Sequence, residues 1–85
     1  MLNYVFSAHA RHEVTRRGLW DLIDAVVDDP EQYFYVRPGR EVRQSIVHGA
    51  RRRYLMRAFV DVDCVPAEVV TAYLTCRIDR HWRAS

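Results

Sequence analysis

Lysine is missing altogether from this 85-residue chain, and glycine (three), proline (three) and cysteine (two) are sparse. The two cysteines, Cys64 and Cys76, allow only one bridge and form no Cys-x-x-Cys pair. That excludes a disulfide framework and a zinc ribbon, and both thiols are expected to be reduced and partly buried. No apolar run approaches the roughly 18 residues of a membrane span. The start, Met1 to Glu13, lacks a basic stretch followed by an apolar core, so no membrane partner is expected and the chain is expected in the cytoplasm. With 49% hydrophobic residues and so little glycine, residues 1–85 read as one small domain. A chain of this size can bury roughly 60% of its unfolded surface.

What is present is arginine. The chain has 13, and seven of them fall between Arg37 and Arg57, where Glu41 is the only acid. Seven positive charges less one negative give that segment +6, against +2 for the whole chain. A codon bias toward arginine explains the absence of lysine but not the clustering. A planar guanidinium offers five donors in a fixed fork, keeps its charge when partly desolvated and stacks on flat rings. Interleaved with aromatic residues, it suits phosphate and base recognition, which makes nucleic acid the first partner to consider.

The spacing predicts helices first and strands afterwards. Asn3 to Phe6 alternates as a short strand, and Ser7 stands where a helix N-cap is wanted. A helix from about Ala8 to Arg17 stops at Gly18, a natural left-handed residue. A second, Leu19 to Asp28, sets Leu19, Leu22, Ile23 and Val26 at helical spacing before Pro30 ends it. From Gln32 onward, turn signals at Arg37–Arg40, His48–Ala50 and Asp63–Pro66 divide a Tyr-, Val- and Phe-rich stretch. The fold expected is α+β, with two N-terminal helices packed on a sheet of three to four antiparallel strands.

Alternation assigns the faces of that sheet. Tyr54, Met56, Ala58, Val60 and Val62 form a core set, joined by Val70, Ala72, Leu74 and Cys76. Ile23, Val26, Met56, Val60 and Leu74 are expected to be buried together. Arg53, Leu55, Arg57, Phe59 and Asp61 then share the open face with Val69, Thr71, Tyr73 and Thr75, and Arg43, Ser45 and Arg77 are read as adding to it. Arginines for phosphate beside Tyr73 and Phe59 for bases make this face the candidate site. A solvated sheet face also carries polar residues, and Tyr-x-Thr is an ordinary strand pattern, so packing alone is the competing explanation.

Three segments carry a resemblance: Phe6-Ser-Ala-His-Ala-Arg-His-Glu-Val-Thr-Arg-Arg-Gly-Leu, Gly39-Arg-Glu-Val-Arg-Gln, and Tyr73-Leu-Thr-Cys-Arg-Ile-Asp-Arg-His-Trp. They resemble a family of small bacterial domains of unknown function with the pattern Ser-x-His-Ala, Arg-Gly, a Gly-Arg strand and Tyr-x-Thr. Those domains in turn resemble the RelE, ParE and BrnT toxins, in which two helices lie against a curved antiparallel sheet that engages RNA. The resemblance implies a toxin-like, metal-independent endoribonuclease with a cognate antitoxin as partner. Some members of the group bind topoisomerase instead, and a non-catalytic module binding protein or nucleic acid is the alternative.

Cleavage by the ribose 2′-hydroxyl needs a proton acceptor, a proton donor and positive charge at the phosphorane, but no metal. Arginine cannot serve as the base, which leaves histidine and tyrosine. The candidate catalytic residues are therefore His9, from the Ser-x-His-Ala motif, with Tyr73, Arg57 and Arg77. Arg43, Arg51, Arg52, Arg53 and Thr75 are candidate RNA-binding residues, and Arg80 and His81 join them by resemblance alone. Tyr73, Thr75 and Arg77 are expected to follow one another along one strand face. His9-x-x-His12-Glu13 could suggest a metal, but nothing marks a third ligand, so neither metal nor cofactor is expected. Arg17 lies four residues after Glu13, the spacing of a helical ion pair. Trp82 is expected to anchor a helical turn that folds the tail back onto the sheet.

Overall fold

In the computed structural model, which describes residues 2–84, the Ser7 hydroxyl accepts a 3.0 Å hydrogen bond from the Ala10 amide. That satisfies one of the free N–H groups at the start of α1 (Ala8–Arg17). At the other end Gly18 takes φ +66, its N–H reaches the Thr15 carbonyl at 3.2 Å, and the Leu19 N–H reaches Val14 at 2.9 Å. This bond pair closes the helix, and its left-handed residue would cost an L side chain about 1–2 kcal/mol. Glu13 bonds Arg16 at 2.8 Å and Arg17 at 3.2 Å, with Arg16 the larger cause holding its carboxyl down to about 2. The short link at Gly18 and Leu19 leads directly into α2 (Trp20–Asp28), which buries Ile23, Val26 and Val27.

Five strands follow from this chain rather than three or four: β1 (Tyr4–Phe6), β2 (Gln32–Arg37), β3 (Arg40–His48), β4 (Arg53–Asp61) and β5 (Ala67–Thr75). Their order is β1-β5-β4-β3-β2, and the sheet is mixed because β1 pairs parallel with β5, Tyr4 opposite Ala67 and Phe6 opposite Val69. The helices carry the chain from β1 to the far edge, so the meander β2 to β5 returns beside the strand it left. Alternation marks β1 as extended but says nothing about its partner. A helical turn, α3 (Ile78–His81), ends the ordered elements. Among the described residues no helix is long and apolar enough to cross a membrane.

α1 and α2 cover one face of the sheet. Ala10, Val14, Ile23, Val26 and Val27 meet Met56, Ala58, Val60, Val69 and Ala72 there, with Leu74 packed at the margin. The expected core set holds at Met56, Ala58, Val60 and Ala72, with Val62 and Leu74 at its margin; Tyr54 is only half-buried and outside it, and Val70 and Cys76 depart from it. Val60 lies opposite Val69 while Phe59 lies opposite Thr71, so Val70 is an extra residue in β5. This bulge turns Val69 into the core and leaves Val70 only half-buried, reversing the expected assignment of both. Cys64 and Cys76 are both exposed rather than partly buried, because one lies in the β4–β5 loop and the other just beyond the end of β5.

Candidate functional site

On the face away from α1 and α2, four residues stand directly opposite one another across four strands: Gln32 against Gln44, Gln44 against Arg57, and Arg57 against Tyr73. Directly opposite residues share a face, so the register assembles this row from positions up to 41 residues apart in sequence. Arg57 is at its centre. Its Nε donates to Gln44 Oε1 at 2.9 Å, and its Nη1 donates to the Tyr73 hydroxyl at 2.9 Å. Gln44 Nε2 continues the row to Gln32 Oε1 at 2.8 Å. The Phe59 and Tyr73 rings stack at 6.3 Å, and the guanidinium carbon lies 5.3 Å from the Phe59 centroid.

The C-terminal tail closes over this row. Gln44 Nε2 also donates to the His81 carbonyl at 3.2 Å, and the Arg83 amide donates to Gln32 Oε1 at 3.1 Å. The Arg83 guanidinium sits 3.6 Å above the Phe34 ring. Leu55 and Arg57, read as open-face residues, are accordingly buried, Arg57 with 8% of its surface exposed.

Among the described residues no carboxylate pairs with Arg57; each of its acceptors is neutral. Nη2 has no hydrogen-bond partner among them either. A buried cation without a counter-ion carries an uncompensated desolvation cost, and an anion placed at Nη2 offsets it.

Arg57 Nη1 also approaches His81 Nδ1 at 3.1 Å. Guanidinium can only donate, so Nδ1 holds a lone pair and the ring is neutral with its proton on Nε2. Burial first, and then Arg57 and Arg80, lower the His81 pKa from its ordinary 6.5. The unfolded chain therefore takes up this proton more readily than the folded one. Its contribution to stability is complete above about pH 6.5 and falls away as the pH drops from there through the folded-state value. Thermal unfolding from about pH 8 down to about pH 5 is expected to show a decline in Tm part of which disappears in His81→Asn. An unchanged slope in that variant would remove His81 from the pH response.

The other anticipated residues are divided among different surfaces. Tyr73, Arg57 and His81 come together. His9 is exposed on α1, which packs on the opposite face of the sheet, so it does not share a site with Tyr73. Arg43 and Ser45 also belong to the helix side, since they stand opposite Ala58 and Met56. Arg43 bonds Glu41 at 3.2 Å and lies 5.3 Å from the Tyr33 ring centroid. Counting the two-residue period from β4 does not fix the phase of β3, which only pairing sets.

The line expected from Tyr73 through Thr75 to Arg77 stops at Thr75, where β5 ends. The Arg77 amide bonds Thr75 Oγ1 at 3.1 Å, a local turn contact, and Arg77 itself is exposed. Arg80 is exposed on α3. Arg51, Arg52 and Arg53 line a cleft of about 570 Å³ together with residues of the tail. Gln32 and Gln44 were not identifiable as site residues, because a glutamine in an alternating strand reads as an ordinary solvated position.

No family model, curated protein or solved structure matches this chain.

Proposed function

We propose that the protein is a cytoplasmic, metal-independent endoribonuclease of the RelE-like toxin kind, restrained by a cognate antitoxin, with Arg57, Tyr73 and His81 as its catalytic residues. The observation that carries this reading is a buried guanidinium with no acidic partner among the described residues, bonded to a phenol and a neutral imidazole. Its Nη2, unpartnered among the described residues, meets a phosphate oxygen and stabilises the charge that builds on the phosphorane. The bound phosphate draws Nη1 away from His81, and the freed Nδ1 accepts the proton of the 2′-hydroxyl as that oxygen attacks phosphorus. The Tyr73 oxygen accepts from Arg57, so its own proton is free to pass to the departing 5′-oxygen as the P–O bond breaks. The products are a 2′,3′-cyclic phosphate and a 5′-hydroxyl, and proton exchange with water resets both side chains.

Purified protein incubated with total RNA in EDTA is expected to give fragments with these ends. Tyr73→Phe keeps the ring and the stacking on Phe59 but removes the proton donor, and it is expected to lower cleavage by about 10²-fold or more while RNA binding persists. Binding of RNA by the wild type with no cleavage under any ionic condition would favour the non-catalytic module instead.

A further inference from the structure

The cleft at the β3–β4 turn is chemically unlike the Arg57 row. Its walls bring Arg51, Arg52 and Arg53 together with Asp79, Trp82 and Cys76. Among the described residues none of the three arginines forms a salt bridge, and neither does Asp79. Charges of both signs, without salt-bridge partners among the described residues, therefore line one open cleft of about 570 Å³ beside an indole ring, large enough for a nucleotide. Asp79 and Trp82 flank His81 in sequence, and His81 is bonded to Arg57. Arg53 and Arg57 share a face of β4 four residues apart, so the cleft and the Arg57 row lie about 13 Å from one another.

We propose that this cleft is a guanine-binding subsite, which selects the RNA base bound near the phosphate held by Arg57. The proposal rests on the ribonuclease reading for its place in the reaction, but not for its chemistry. An ionised carboxylate only accepts hydrogen bonds. Among the four RNA bases only guanine offers two adjacent N–H donors, N1–H and the N2 amino group, on its Watson–Crick edge; each of the others sets an acceptor next to its donor. Asp79 therefore takes guanine in a two-point contact and meets a lone pair on adenine, cytosine or uracil. Trp82 supplies the flat surface for the base, and the arginines take the phosphate. Phosphate contacts from the three arginines alone would bind any nucleotide equally.

Mononucleotide binding to the full-length protein, measured by calorimetry at one fixed ionic strength, tests this without any cleavage. GMP is expected to bind about tenfold more tightly than AMP, CMP or UMP, the discrimination of one good bidentate contact. IMP keeps N1–H and lacks the amino group, and is expected to fall between GMP and AMP. Asp79→Asn is expected to remove the preference while leaving phosphate-driven affinity in place, and Trp82→Ala to weaken all four RNA nucleotides. Equal affinity of the wild-type protein for GMP, IMP and AMP overturns the proposal, and so does an Asp79→Asn variant that folds and keeps the full preference. A guanine preference in a protein that cuts no RNA would uphold the subsite while removing the ribonuclease reading. Cleavage without base preference in binding would do the reverse.

Discussion

Arg57→Ala is expected to lower RNA cleavage by about 10²–10³-fold, the usual loss when one charge-stabilising donor is removed from a site. The effect is large because one side chain carries three jobs. Nε fixes Gln44, Nη1 holds both Tyr73 and His81, and Nη2, unpartnered among the described residues, is the donor proposed for the phosphate. Lysine keeps the charge but lacks the fork, so Arg57→Lys is expected to rescue little. Some stability goes as well: Gln44 is fully buried, and its Oε1 left without a donor costs about 1–3 kcal/mol. Cleavage rates and chemical unfolding of the same two variants separate these effects. Arg57→Lys cleaving within a few-fold of the wild type would show that charge alone suffices and that the row of hydrogen bonds is structural.

Ile23→Ala is expected to cost about 2–5 kcal/mol. Ile23 has no exposed surface and sits where α2 presses on the sheet beside Met56 and Val60. Domains of this size hold roughly 0.05–0.15 kcal/mol per residue, so this one substitution removes a large part of the total stability. Urea unfolding followed by circular dichroism measures the loss. A cost below about 1 kcal/mol would mean that the helix layer closes over the cavity, and that α2 is held more loosely than its burial indicates. Leu22, on the same helix, is 39% exposed, and its truncation makes the internal control.

Much of the framework follows from short-range chemistry and was legible in the chain. Ser7 and Gly18 bound α1 at the residues where their side-chain oxygen and left-handed backbone are needed, because capping involves groups only a few residues apart. The three turn signals separate β2, β3, β4 and β5 for the same reason. Tyr54 to Val62 alternate without interruption, so the helix-facing side of β4 could be read from their period alone.

Pairing between strands obeys no such local rule. Whether Arg43 or Gln44 faces Arg57 depends on the register of β3 against β4, and a shift of one residue exchanges them. The bulge at Val70 reversed one strand end in the same way. His9 and His81 look alike in sequence, each near the start or end of a short helix with arginine close by. The sheet lies between the helix layer and the tail, so one of them is on the far side from Tyr73 and the other touches Arg57. The sequence by itself determined where the charge is concentrated and which segments are helix or strand, since those depend on neighbours in the chain. Only the tertiary structure decided which arginine is buried with no carboxylate partner among the described residues and which histidine it meets, since both depend on strand register and on the path of a tail more than 20 residues beyond Arg57.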